Sequence, residues 1–497
     1  LKILEKTRGS GDPLQAWTPA LQGIGLSVLL LVPCFWQVRI QAGDLSSHLY
    51  NAWLAQLIER GQAPGLMLVR QSNNVLFDLM LSGLLRVFGA AAAQRIAVSV
   101  AVLVFFWGAF AFVWSSSRTR PRQAPWQLAP CLAMLAYGWV FRMGLFNFYI
   151  SLGLCFGALA LARRRERWAL AAAAALAGIA YVAHPMPVAW AVGIFAYGRV
   201  AQSLRPRRRA LLMIGSLAAM ALAGFLMRAL FPTRWGMNQL MAMTGVDQVW
   251  IYGREYIALA VALLAVWTLW FQRVLTARGV ERTVLDVRFQ LCALSAAAVV
   301  LLPGRVLLPG FRSGLNLMAE RMSLAGAVLF CALVASVRLP KPLVGAMAAV
   351  AVLFFGLSYT DERAVNQAET QMERLVAQLP PGQRVVSVLT APENRIWALA
   401  HAVDRICVGR CFSYANYEPS TAQFRVRAYR DNPFVISDYA ESWSIQTGGY
   451  VVKARDLPLY NIDLCEPGSA RMCLAPLRAG ATLRNTDVKL APIVGGG

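Results

Sequence analysis

The sequence predicts an all-α polytopic membrane bundle of about eleven transmembrane helices over residues 1–360, then a small extracytoplasmic α/β domain over 361–497. Three observations predict it. Of the 497 residues, 58% are hydrophobic and mean hydropathy is +0.50, which is too apolar for a soluble chain of this length. Arginine-rich clusters recur between long apolar stretches: Arg118, Arg120 and Arg122; Arg163, Arg164, Arg165 and Arg167; Arg205, Arg207, Arg208 and Arg209; Arg273, Arg278 and Arg282; Arg338 with Lys341. The formal charge of +23 is also uneven, with 15 Lys+Arg against 14 Asp+Glu from Asp361 onward and 33 against 11 before it. Basic loops stay on the cytoplasmic side. The charge is therefore a topology signal with added attraction to anionic membrane lipids, and a nucleic-acid partner is not expected.

The elements follow in order. The first apolar stretch, 20–38, comes after a tail carrying Lys2, Lys6 and Arg8, and no small-residue cleavage pattern follows it. It reads as an uncleaved first span with the N-terminus inside. Further spans are expected near 95–114, 126–141, 145–162, 168–183, 185–198, 210–230, 254–272, 289–303, 322–337 and 342–359. Basic flanks on both sides of 168–198 require an even number of crossings there. The stretch 75–88 is apolar but carries Asp78 and Arg86; a juxtamembrane helix, a re-entrant helix and a short span all remain open. Eleven crossings place everything after Asp361 outside, as in a multi-pass protein of a bacterial-type inner membrane. There, a helix is expected at 361–379, ended by Pro380-Pro381-Gly382, then a β-branched run at 384–389 and a helix near 393–402. Strands are expected at 434–436 and 450–452, with Gly448-Gly449 as a turn.

The nine cysteines divide by position. Cys34, Cys131, Cys155, Cys292 and Cys331 sit in apolar stretches and read as small buried residues. Cys407, Cys411, Cys465 and Cys473 lie in the polar C-terminal part, where two disulfides in an oxidising compartment fit better than zinc or free thiols. Pairing of neighbours, 407–411 and 465–473, is preferred among the three connectivities.

Motifs of soluble enzymes are absent: there is no P-loop, no G-x-G-x-x-G, no H-E-x-x-H and no G-x-S-x-G. Three histidines in total leave no histidine-rich metal site. The loop after the first span is more informative. Over residues 44–60, Leu45, Leu49, Trp53, Leu57 and Ile58 recur at helical spacing, ended by Gly61, which describes an amphipathic juxtamembrane helix lying in the interface. Asp44 stands at its N-cap and His48 one turn later. Two readings stay open: a capping aspartate with a solvated histidine, or a pair facing a site.

Asp44 just after the first span, the amphipathic helix and the exit Gly61-x-x-Pro64-Gly65 resemble the first external loop of GT-C glycosyltransferases, the superfamily of oligosaccharyltransferases, protein mannosyltransferases and lipid A aminoarabinose transferases. The resemblance covers the architecture of the whole chain and, residue by residue, about 40–90. It implies a polyprenyl-phosphate lipid donor and makes Asp44 the catalytic carboxylate, either a base on an acceptor hydroxyl or a holder of a divalent cation. The loop departs from the family's paired-acid pattern, since the next acid is Glu59, and this argues against a metal-bridging carboxylate pair.

Other polar residues fall on the same side: Arg142 and Asn147 in one turn, His184 opening His184-Pro185-Met186-Pro187, and Arg305, Arg312, Asn316, Glu320 and Arg321 after the ninth span. Charges at membrane depth face a cavity or each other. The arginine fork suits a lipid phosphate, although each arginine alone reads equally as an interfacial anchor. The expectation is a membrane glycosyltransferase with Asp44 as base and with His48, Arg142, Asn147, His184, Arg305, Arg312, Glu320 and Arg321 binding substrate. A non-enzymatic scaffold or envelope-complex subunit, whose C-terminal domain binds a partner, is the competing reading, and a transporter is the third.

Overall fold

The computed structural model describes residues 13–117, 125–164, 166–310, 312, 314–429 and 431–490. Lys2, Lys6, Arg8, Arg118, Arg120, Arg122 and Arg165 of the basic pattern lie outside the described residues. The protein is an α-rich membrane protein, 63% helical, with four helices long and apolar enough to cross a membrane among the described residues. Those four are α3 (Leu76–Ser116), α9 (Pro206–Leu230), α11 (Glu255–Arg278) and α15 (Lys341–Val376).

Every apolar run read from the sequence is helical, with shifted ends. The first is α1 (Pro13–Leu31), which stops before 38, and α2 (Leu45–Glu59) follows. Beyond α3, the run at 126–141 breaks into α4 (Ala129–Ala136) and α5 (Trp139–Arg142), because Gly138 takes an extended conformation between them. Then come α6 (Phe146–Ala162), α7 (Arg167–Ala183) and α8 (Pro185–Ser203). Between α9 and α11 lies the short α10 (Asn238–Ala242), and after α11 come α12 (Val280–Val284), α13 (Val287–Leu301) and α14 (Met318–Val334). Proline in the first turn starts α8, α9 and α15, where its missing N–H costs nothing, and the Asp286 carboxylate caps α13 through Arg288 N at 2.9 Å.

The open question at 75–88 resolves into a helix that feeds straight into the next span. Residues 76–88 and 90–116 are joined at Gly89, whose φ of +75° breaks the helical path and re-aims the chain. Helices α3 and α6 meet backbone to backbone: a Cβ on Gly108 would lie 2.0 Å from the Gly153 carbonyl oxygen. By contrast α9 buries only Gly224 and leaves Leu211, Ile214, Leu222 and Phe225 exposed, the surface of a lipid-facing helix.

Helix α15 carries the expected 361–379 helix without a break from the preceding apolar run. After it, β4 (Arg384–Val386), β6 (Phe412–Ser413), β8 (Leu459–Leu464) and β9 (Met472–Pro476) form one sheet in the order β6-β4-β8-β9. The pairs β6–β4 and β4–β8 are parallel and β8–β9 is antiparallel. Three short pairs complete the strands. They are β1 (Leu66–Leu68) with β7 (Val426–Ala428), β2 (Thr233–Arg234) with β3 (Arg305–Val306), and β5 (Leu389–Thr390) with β10 (Thr486–Asp487). The β1–β7 pair clasps the loop after α2 to the C-terminal segment. The remaining helices are α16 (Ala402–Cys407), α17 (Glu418–Thr421) and α18 (Tyr439–Gln446).

Four local expectations are corrected. The helix at 393–402 does not form. Arg395 is held instead by α11's approach, its backbone N–H on Tyr252 O (3.2 Å) and its Nη1 on Asp247 O and Trp250 O (2.5 and 3.1 Å), so tertiary bonds displace the local ladder. Residues 434–436 form no strand, and 450–452 contribute only the isolated bridge Val451–Thr482. Helix α2 is not an interfacial helix, because most of it is buried. Its polar side is taken up by the C-terminal segment: Ser46 accepts from Arg405 Nε (3.0 Å), Asn51 exchanges bonds with Asn416 (2.8 Å), and Tyr50 OH accepts from Ser413 N (2.9 Å).

The cysteines pair as expected, Cys407–Cys411 and Cys465–Cys473. Cys34, Cys131, Cys155 and Cys331 are buried free thiols and Cys292 is half-buried.

Candidate active site

Asp44 is held by its backbone, which leaves its carboxylate out of the helix cap. Gly43 N donates to Arg142 O (2.8 Å) and Asp44 N to Met143 O (3.0 Å), so the turn after α5 lies directly against the start of α2. Gly144 makes that approach possible: its φ is +80°, and a Cβ there would sit 2.5 Å from Asp44 N. Asp44 occupies the N-cap position of α2, and its carbonyl accepts from His48 N (2.9 Å), yet its carboxylate makes no capping bond. The carboxylate turns to His401, with Oδ1 3.4 Å from Nε2.

His401 is the residue sequence reading missed that most changes the site. Its Nδ1 lies 3.3 Å from Asp404 Oδ2, and its ring packs on Tyr417 at 5.1 Å. Burial pulls this imidazole's pKa down, but the hydrogen bond to Asp404, with the charges of Asp404 and Asp44, raises it above the ordinary value.

One turn into α2, His48 does not face water. Its Nδ1 is 2.6 Å from Asp78 Oδ1, and Asn147 fixes the other Asp78 oxygen through Nδ2 (2.8 Å) while accepting from Phe77 N (2.8 Å). Burial alone would lower His48. The Asp78 carboxylate, with Glu418 and Asp44 near, outweighs it and lifts the group to about 9. Glu418 is buried beside them, and burial together with the Asp78 charge pushes its carboxyl well above the usual carboxylate range, favouring the neutral acid.

Asp44, His48, Asn147, His184, Arg321 and His401 line one cavity of about 730 Å³ between the helical bundle and the C-terminal segment. All three histidines of the chain are on its wall. At the bundle end, His184 Nδ1 accepts from Met186 N (3.2 Å), which leaves the proton of the neutral ring on Nε2. Burial, and then the Arg321 charge, push His184 down to about 3, so the ring stays neutral at physiological pH. Its Nε2 stands 3.4 Å from Arg321 Nη1, and Arg321 Nε is buried without a hydrogen-bond partner among the described residues. Two donors thus converge with no acceptor between them. That geometry suits an anionic oxygen.

Four expected site residues do not reach the cavity. Arg142 is consumed by a buried ion pair with Glu362 (2.6 Å) and by Gln41 O (3.1 Å). Arg305 is fixed in the β2–β3 pair, Arg312 donates to Ser420 O (3.2 Å), and Glu320 accepts from Asn238. Among the described residues, no group of three or more His, Cys, Asp or Glu side chains is arranged to hold a metal ion, and the neighbour of Asp44 is an imidazole where a bridging site needs a second carboxylate.

The sequence signal for the missed residues was scarcity. Three histidines in so long a chain, and Asp78 interrupting an apolar run, are each unusual enough to test against one another. No family model, curated protein or solved structure matches the chain.

Proposed function

We propose that this protein is an integral-membrane glycosyltransferase of GT-C type, moving a sugar from a polyprenyl-phosphate donor to an extracytoplasmic acceptor. In this reading about eleven helices cross a bacterial-type inner membrane, the N-terminus is cytoplasmic, and residues 361–497 form an extracytoplasmic domain. The two disulfides and the basic clusters support that orientation. The observation that carries the reading is the cavity itself: an aspartate whose carboxylate makes no capping bond and faces His401 shares it with a converged pair of donors, Arg321 and His184.

The chemistry follows from those positions. Asp44 takes the proton of an acceptor hydroxyl, held toward it by His401, which Asp404 orients in turn. The freed oxygen attacks the sugar's anomeric carbon as the bond to the lipid phosphate breaks. The departing phosphate carries the electron pair, and Arg321 with the His184 Nε2–H stabilises its charge. The test is Asp44→Asn, assayed as sugar release from a polyprenyl-phosphate donor in membranes with matched protein levels. Because Asp44 makes no side-chain capping bond, the variant should fold, while transfer falls on the order of 10²–10⁴-fold. Arg321→Ala should raise the donor KM. Undiminished transfer in Asp44→Asn would remove the catalytic role, and no transfer by well-folded wild-type protein would favour a membrane scaffold.

A further inference from the structure

The wall of the cavity formed by the C-terminal segment is built differently from the Arg321 end. Ser442 is 1% exposed, on α18, and Ser387 lies between β4 and β5. Both line the cavity, and both hydroxyls are buried without a hydrogen-bond partner among the described residues. Buried hydroxyls normally find partners. Trp443, next to Ser442, and Trp397 line the same cavity, and each is 53% exposed. Gln446 stands one turn beyond Ser442 on α18. Apart from the histidines, Arg321 is the only basic residue on the cavity wall among the described residues.

From this juxtaposition we propose that the C-terminal wall is an acceptor subsite for a neutral saccharide, gripped by the Ser387 and Ser442 hydroxyls and stacked on Trp397 and Trp443. A sugar meets each demand at once. Its hydroxyls both donate and accept, which satisfies two orphan hydroxyls and the Gln446 amide. Its C–H faces are positively polarised and pack on the negative face of an indole ring. A phosphorylated or carboxylated acceptor finds no lysine or arginine on this wall among the described residues, and a lipid tail would leave both serines unpaired. The subsite rests on the transfer reading for its role as acceptor, but its occupancy does not depend on any donor.

The experiment measures binding without donor, to the full-length protein in lipid nanodiscs, by saturation-transfer NMR and competition titration. The probes are chitotetraose, maltotetraose and mannotetraose, with a serine- and threonine-containing octapeptide as the contrasting class. At least one tetrasaccharide should bind and the peptide should not. Trp443→Ala should weaken that binding about tenfold, the scale of one aromatic contact, and Trp443→Phe should restore most of it. Ser442→Ala should weaken it further without changing the melting temperature. Absence of binding by all three tetrasaccharides, binding indifferent to both Trp443→Ala and Trp397→Ala, or Trp443-dependent binding of the peptide would each overturn the proposal. Saccharide binding in a protein that transfers no sugar would overturn the transfer reading and leave the subsite standing.

Discussion

Replacing Gly144 by alanine should displace Asp44 without touching it chemically. The added Cβ would lie 2.5 Å from Asp44 N, 2.9 Å from Leu45 N and 3.0 Å from Asp44 Cα, and all three are backbone atoms that cannot swing aside. Ordinary contact begins near 3.4 Å, so the start of α2 must retreat by ~0.9 Å, unless the turn moves instead. Gly144 also sits at φ +80°, which costs an L-residue ~1–2 kcal/mol. Overpacking of this kind adds ~1–3 kcal/mol, for a total of ~2–5 kcal/mol. A misplacement near 1 Å at a reacting group lowers rate by ~10²-fold. Two readouts are needed: a melting curve in detergent and the transfer assay at matched levels of folded protein. Gly178→Ala is the control, because that glycine lies inside α7 with nothing within 4 Å of the added carbon. If Gly144→Ala melts and transfers like wild type while the control behaves the same, the docking of the 142–145 turn does not position Asp44.

Two further outcomes follow from the charged groups. Arg142→Met should destabilise the fold by about 3–5 kcal/mol, because it leaves Glu362 buried and unpaired, and the double variant with Glu362→Gln should recover much of the loss in a melting assay. His48 titrates at about 9 in the folded protein against an ordinary 6.5. Its stabilisation is therefore complete below pH 6.5 and lost as pH rises through 9; melting temperatures from pH 6 to 10 should show the decline, and Asp78→Asn should flatten it.

The helical frame was legible because hydrophobic runs and basic clusters are local signals. Each apolar stretch is helical, and among the internal ones the path is re-aimed at Gly89 and broken at Gly138. The C-terminal segment was harder for the opposite reason. Its short strands are fixed by partners far along the chain, such as Leu66–Leu68 against Val426–Ala428, and Arg395 is drawn out of a locally plausible helix by carbonyls near Trp250. Helix α2 shows the same limit. Its alternation of apolar and polar residues looks like a helix resting on a membrane, and the polar side is in fact satisfied by Arg405 and Asn416, more than 350 residues away.

The site divides along the same line. Asp44, His48, Asn147, His184 and Arg321 could be chosen because each stands next to an element boundary, where polar residues are expensive unless used. What could not be read was which of the chosen arginines had already been spent. Arg142 looked like a phosphate ligand, and a glutamate 220 positions away neutralises it. Arg321 looked no different in sequence, yet its neighbour is a histidine whose proton is forced onto the facing nitrogen, so its charge stays available. The distinction between an anchoring and a binding arginine lies in the partner's protonation state, and that depends on one backbone bond, Met186 N to His184 Nδ1. Asp44 follows the same logic. As an N-cap it would be spent; with its backbone gripped by the 142–145 turn and its carboxylate turned to His401, it is free to act.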